Sequence, residues 1–92
     1  MITQVNKTGT VRFVYSLGFE SVKQVCLAGS FNNWQPVAMK KQQNGLYALE
    51  LKMSKGQHEY KFVVDGIWQA DPENNDTVHN SLGTVNSVVI IK

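Results

Sequence analysis

Two tryptophans in this 92-residue chain stand beside polar groups that could act with them. Trp68 follows Asp65-Gly66, and Trp34 follows Asn32-Asn33. Asp65-Gly66, set between alternating apolar residues, marks a β-hairpin with a two-residue type I′ turn. The turn sets a register in which Val64 faces Ile67, Val63 faces Trp68 and Lys61 faces Ala70. Side chains alternate across a strand. Tyr60, Phe62 and Val64 therefore share one face, and Lys61, Val63, Trp68 and Ala70 the other. An indole and an ammonium group then sit on the polar face as diagonal neighbours, roughly 7–8 Å apart. The chemistry open to them is recognition. A sugar ring offers C–H bonds that pack on the negative face of an indole, while its hydroxyls need donors and acceptors. Trp34 with Asn32 and Asn33, and Trp68 with Lys61, meet both needs. The plainer reading of each indole is packing, and Trp34 does lie in a loop beside Phe31.

Catalytic chemistry finds no comparable support. Cys26 falls in a strand with no histidine near it in sequence, which reads as a buried structural thiol. His58 and His79 lack metal-ligand spacing, and no metal site is expected. Asp71, Glu73 and Asp76 lack the glycine and terminal glutamate of a calcium loop and read as a solvated loop. No pair of carboxylates is marked out as flanking a cleft in the manner of a glycosidase. No glycine-rich phosphate loop is present, and no cofactor is expected.

The chain is the length of one domain. At this size only about 60–65% of the unfolded surface is buried on folding, so a single modest core is expected. Hydrophobic residues make up 42% and charged residues 17%, which is ordinary for a globular protein. A net charge of +2 with scattered lysines is too weak to imply a nucleic-acid or membrane partner. The single cysteine excludes an internal disulfide and favours a reducing compartment. There is no signal-peptide pattern at the start, no apolar run near the ~20 residues of a membrane span, and no myristoylation pattern. The expected location is the cytoplasm.

The elements that must hold these residues are short strands. Residues 1–9 show no clear period and are expected as a flexible lead-in to a module spanning 10–92. Val11, Phe13 and Tyr15 alternate with polar residues across 10–16, giving a first strand. Residues 17–21 connect it to a second strand over 22–28, with Val25 and Leu27 on one face. Residues 29–36 form a turn-rich loop, and 37–41 a short strand. At Asn44-Gly45 a two-residue turn would set Tyr47 and Leu49 against Gln42 and Lys40, a core face against a polar one. A three-residue loop with Gly45 in the left-handed region pairs Leu49 with Met39 and Leu51 with Val37 instead, and is preferred. Tyr47, Leu49, Leu51 and Met53 then form a core stripe. Residues 73–81 read as a polar loop, and the β-branched run over 85–91 as an interior strand. About seven short strands without helical periodicity predict an all-β fold, an antiparallel β-sandwich with immunoglobulin-like (early set) architecture.

Three segments together resemble the family 48 carbohydrate-binding modules: Leu27-Ala28-Gly29-Ser30-Phe31-Asn32-Asn33-Trp34, then Gly56-Gln57-His58-Glu59-Tyr60-Lys61-Phe62-Val63-Val64-Asp65-Gly66 through Trp68 to Asp71-Pro72, then Leu82-Gly83-Thr84-Val85-Asn86. Within that family the likeness is to the glycogen-binding module of the AMP-activated protein kinase β subunit. It covers roughly residues 22–91, with the three motifs in the family's order. The resemblance implies non-catalytic binding of α-1,4-linked glucan as glycogen, starch or maltooligosaccharide. It implies that Trp34 and Trp68 stack on glucose rings, that Lys61 bonds hydroxyls, that Leu82 lodges against the glucan, and that Thr84 and Asn86 bond hydroxyls. The alternative is a free-standing adaptor that docks onto a kinase or glycogen-metabolising enzyme, for which Val14, Leu46 and Ala48 would supply an exposed apolar patch. No catalytic or kinase-assembly domain accompanies the module, so it reads as free-standing or cut from a larger chain.

Overall fold

The computed structural model describes residues 2–5, 9–16, 22–43 and 45–91. The expected connection at 17–21 and Asn44 of the three-residue loop lie outside them. The described residues hold ten strands: β1 (Ile2–Val5), β2 (Thr10–Tyr15), β3 (Val25–Gly29), β4 (Val37–Ala38), β5 (Lys40–Lys41), β6 (Tyr47–Lys52), β7 (Gly56–Val64), β8 (Ile67–Gln69), β9 (Thr77–His79) and β10 (Val85–Ile91). All pairings are antiparallel. One sheet has the order β1-β2-β6-β5, and the other β4-β3-β7-β10-β9 with β8 added to β7.

The inner faces of the two sheets build one core. Val11 pairs with Leu51, Phe13 with Leu49 and Tyr15 with Tyr47. Across the sandwich stand Val25 and Leu27 of β3, Tyr60, Phe62 and Val64 of β7, and Val89 and Ile91 of β10. Phe13 meets Tyr60 edge-on at 5.0 Å, and Tyr15 meets Phe62 edge-on at 5.3 Å, so aromatic pairs tie one sheet to the other. Among the described residues no helix is long and apolar enough to cross a membrane.

Two expected registers hold. Val63 pairs with Trp68 and Val64 with Ile67, and both turn residues have positive φ, 49° at Asp65 and 85° at Gly66, as a type I′ turn requires. The Asp65 side chain also accepts the backbone N–H groups of Lys23 and Gln24, which ties the turn to the start of β3. At the other hairpin Lys40 pairs with Ala48 and Lys41 with Tyr47, and Gly45 has φ 81°, the register of the three-residue loop.

Several expectations are corrected. The strand over 37–41 is two strands: Val37 pairs with Leu27 in one sheet, Lys40 pairs with Ala48 in the other, and buried Met39 marks the crossing. Val37 therefore does not pair with Leu51, whose partner is Val11. Residues 1–9 contain a strand, since Val5 pairs with Val11 and Gln4 with Arg12. The polar stretch 73–81 contains β9, which pairs with β10. The proposed apolar patch is absent as well: Val14 and Ala48 are buried and Leu46 is half-buried.

Asp71 is not part of a solvated loop. It is buried, and its Oδ2 accepts the Tyr60 hydroxyl at 2.7 Å. Its backbone N–H donates to Ser87 Oγ at 2.7 Å, and its Oδ1 accepts the Glu73 N–H at 2.9 Å. Asn74 Nδ2 donates both to the Tyr60 oxygen and to the Val88 carbonyl. A buried phenol keeps its hydroxyl only with partners of this kind. The segment leaving β8 is thereby pinned to β7 and β10, the two strands that flank the outer face.

Candidate sugar-binding cleft

On the outer face of the larger sheet, β7 presents Glu59, Lys61 and Val63 at alternate positions, because Tyr60, Phe62 and Val64 face the core. β7 has nine residues, and its two halves have different partners on one side. Its first half pairs with β10 up to Tyr60–Ser87, and its second half pairs with β8 from Phe62–Gln69. Continuing the first ladder puts Asn86 beside Lys61, while Trp68 lies across from Val63 on the same face.

Trp34 arrives from the loop after β3. Ser30–Asn32 form a single 3-10 turn, and Asn33 and Trp34 follow with φ 58° and 59°. Left-handed φ is unfavourable for a bulky residue, costing roughly 1–2 kcal/mol. The loop is held there by several bonds. Trp34 N–H donates to the Gly29 carbonyl at 2.9 Å, Asn32 Oδ1 accepts the Gly29 N–H at 3.0 Å, and Ser30 Oγ accepts the Glu59 N–H at 3.1 Å. Phe31 turns inward and stacks on Phe13 at 5.9 Å. The two aromatics of the loop thus divide the work: Phe31 anchors it on the core, and Trp34 faces outward.

Gly29 is the point where this loop has no room. A Cβ there would lie 2.6 Å from the Glu59 carbonyl oxygen and against the Phe31 ring. The ring can turn, but the carbonyl belongs to β7. Gly29→Ala is expected to cost about 1–3 kcal/mol, as overpacking does, and to lower the thermal midpoint by roughly 5–20 °C for a domain of this size. An unchanged midpoint in a calorimetric scan would show that the loop moves aside freely.

Trp34, Lys61, Trp68, Leu82 and Asn86 line one open cleft of about 380 Å³. Thr84, an exposed residue, joins it through Lys61, its Oγ1 accepting Lys61 Nζ at 2.9 Å. All six expected residues therefore gather on one face. Trp68 is 46% exposed and so is not a core residue, and Leu82 is 86% exposed. Trp34 is half-buried, consistent with one ring face left open.

Four further residues line the cleft: Ser30, Glu59, Asn80 and Ser81. Glu59 was legible from parity, since it is two residues before Lys61 on the same face. Asn80 carried no periodic signal. Its Oδ1 accepts the N–H groups of Leu82 at 2.9 Å and Thr84 at 3.2 Å, a local side-chain turn that a polar sequence conceals. Glu59 Oε1 accepts Asn86 Nδ2 at 2.9 Å.

Cys26 is half-buried on β3, and burial pushes its thiol up from its ordinary value, away from the reactive thiolate. His58 spends Nε2 on the Ser54 carbonyl at 2.8 Å and meets Phe31 edge-on. Among the described residues no three His, Cys, Asp or Glu side chains gather to hold a metal ion.

Residues 10–92 match the family described as the glycogen recognition site of AMP-activated protein kinase. The chain is 44% identical over 70 residues to 5'-AMP-activated protein kinase subunit beta-1 of Rattus norvegicus, a match covering 76% of this chain and 25% of that subunit. It is 40% identical over 74 residues to subunit beta-2 of Mus musculus, covering 79% of this chain and 27% of that one. The chain thus spans about a quarter of the length of these relatives. Among solved structures, a maltogenic amylase from S. marinus superposes with a TM-score of 0.73 at 26% identity, over 90% of this chain and 13% of the amylase. A putative alpha amylase from Salmonella typhimurium shares the fold, with a TM-score of 0.73 at 22% identity over 97% of this chain and 14% of its own.

Proposed function

This chain belongs to the family of glycogen recognition sites of AMP-activated protein kinase, and we propose on that premise that residues 10–92 are a non-catalytic module binding α-1,4-linked glucan in the cytoplasm. The observation that supports the reading most is the cleft itself. Two indoles, an exposed leucine and a set of donors from Lys61 and Asn86 face one space of about 380 Å³. Glucose rings would stack on Trp34 and Trp68, with Leu82 closing against the chain of sugars and Lys61, Thr84 and Asn86 bonding hydroxyls. Contact with two or three rings loses hydration and ordering entropy at each, so affinity for a short oligosaccharide should be roughly micromolar to millimolar. Branched glycogen presents many such chains and raises the apparent affinity by multivalency.

The test is electrophoresis in a native gel cast with glycogen. The protein is expected to be retarded relative to a gel without polysaccharide, and unretarded mobility would contradict the reading. The relatives are kinase subunits by name, so docking on a kinase or a glycogen-metabolising enzyme is the second reading. A partner that still co-purifies after Trp34 and Trp68 are both replaced would favour it.

A further inference from the structure

The turn between β9 and β10 is organised by one side chain. We infer that Asn80 is the positioning residue of the cleft. It sets the turn that presents Leu82, and it leaves the Thr84 hydroxyl able only to donate to a ligand. The inference rests on the glucan reading and deepens it by naming the ligand atom that Thr84 can meet.

Asn80 uses every polar atom it has. Its backbone N–H donates to the Thr84 carbonyl at 2.9 Å, and its own carbonyl accepts the Gly83 N–H at 3.3 Å. Oδ1 accepts the N–H groups of Leu82 and Thr84. Nδ2 donates to Thr84 Oγ1 at 2.7 Å and to Asn86 Oδ1 at 3.1 Å. The orientation of the amide follows from its partners. Turned over, its NH₂ would face two backbone donors and its oxygen the Asn86 oxygen, losing three of the four bonds, with only the Thr84 hydroxyl able to turn and donate.

That orientation propagates. An ammonium can only donate, so Thr84 Oγ1 accepts from both Lys61 Nζ and Asn80 Nδ2. Both lone pairs of the hydroxyl are engaged, and its proton is what remains to offer. Asn86, buried at 6% exposure, accepts from Asn80 at Oδ1 and donates to Glu59 at Nδ2. A single chain of bonds, Glu59–Asn86–Asn80–Thr84–Lys61, runs along the wall with its two charged groups at its ends. A ligand oxygen facing Thr84 must therefore act as an acceptor, and a ligand group facing the Glu59 carboxylate must donate. Leu82 stands at the tip of the turn beside Gly83, whose φ is 81°. Ordering that turn before the ligand arrives reduces the entropy lost on binding.

The experiment compares Asn80→Asp and Asn80→Ala. The carboxylate retains the oxygen that accepts from Leu82 and Thr84, but it cannot donate to Thr84 or Asn86, and it draws the Thr84 proton toward itself. Asn80→Asp is expected to keep slow amide hydrogen exchange at Leu82 and Thr84 in the ligand-free protein, yet to weaken maltoheptaose binding by roughly tenfold or more. Asn80→Ala loses both. The losses from Asn80→Asp and Thr84→Val are expected to be less than additive in the double variant, because they remove the same donor. Wild-type affinity in Asn80→Asp, or fully additive losses, overturns the inference. If the wild-type protein fails to bind maltoheptaose, the glucan reading fails, and Asn80 is then judged on exchange alone. Leu82 and Thr84 amides exchanging as fast in wild type as in Asn80→Ala overturn its positioning role.

Discussion

Replacing Trp68 with alanine is expected to abolish retardation by glycogen while leaving the fold in place. The indole is 46% exposed and lies across from Val63, on the face away from Tyr60, Phe62 and Val64. A sugar ring seated on it would cover on the order of 70 Å² of apolar surface, which at about 25 cal/mol per Å² is roughly 1.8 kcal/mol, or about a twentyfold change in affinity. From a starting affinity that is already weak, that loss puts binding below detection. Trp34→Ala should do the same, and Trp34→Phe should restore part of the binding because a flat ring returns to the site. Circular dichroism and thermal midpoints near those of wild type will separate lost stacking from lost folding. A Trp68→Ala protein that is still fully retarded would show that this indole is not a sugar platform.

The largest effect on stability is expected at Asp71. Asp71→Ala removes the acceptors of the Tyr60 hydroxyl and the Glu73 N–H inside the protein. Hydrogen bonds to charged groups are worth about 1.5–3 kcal/mol each, and an orphaned buried donor adds to the loss. A net cost of about 3 kcal/mol corresponds to a midpoint lower by roughly 12–24 °C in a domain of this size. Asp71→Asn keeps an acceptor and should cost less. The same network sets an alkaline limit. Burial, with the hydrogen bond and charge of Asp71, raises the Tyr60 phenol above its ordinary value, and burial also raises Tyr15. The stabilisation from a raised folded-state value is complete below the unfolded value of about 10 and is lost as pH climbs past it. Thermal midpoints should therefore hold steady from neutral pH to about 9.5 and fall above about 10, with a shallower fall in Tyr60→Phe. An Asp71→Ala protein that melts with wild type would contradict this account of the network.

Much of the scaffold was legible because one face of each strand is buried. Parity about Asp65-Gly66 brought Lys61 and Trp68 to one face, and parity about Gly45 selected the three-residue loop. In both cases a slip of one residue would invert the core face, so the pattern admits a single register. Strands without that constraint were hidden. Met39 carries the chain from one sheet to the other, and a short run such as Val37-Ala38-Met39-Lys40-Lys41 gives no sign that the residues before and after Met39 have different partners. β9 has only three residues and was lost in a polar stretch. The site divides in the same way. Lys61 and Trp68 followed from register, while Trp34, Leu82, Thr84 and Asn86 rested wholly or partly on resemblance. Asp71 and Asn80 were missed for one reason: their roles are side-chain hydrogen bonds, to backbone and to other polar side chains, and these leave no period in a sequence.

The central claim is that the cleft recognises α-linked glucan through its indoles. The most direct measurement is a titration of the protein with maltoheptaose and, separately, with cellohexaose, following tryptophan fluorescence. Both sugars are glucose chains, but the β-linked chain is straight and the α-linked chain curved, so only the latter should engage Trp34 and Trp68 together. The expected result is a saturable change with maltoheptaose and none with cellohexaose over the same concentrations. An equal response to both sugars, or none to either, would contradict the claim.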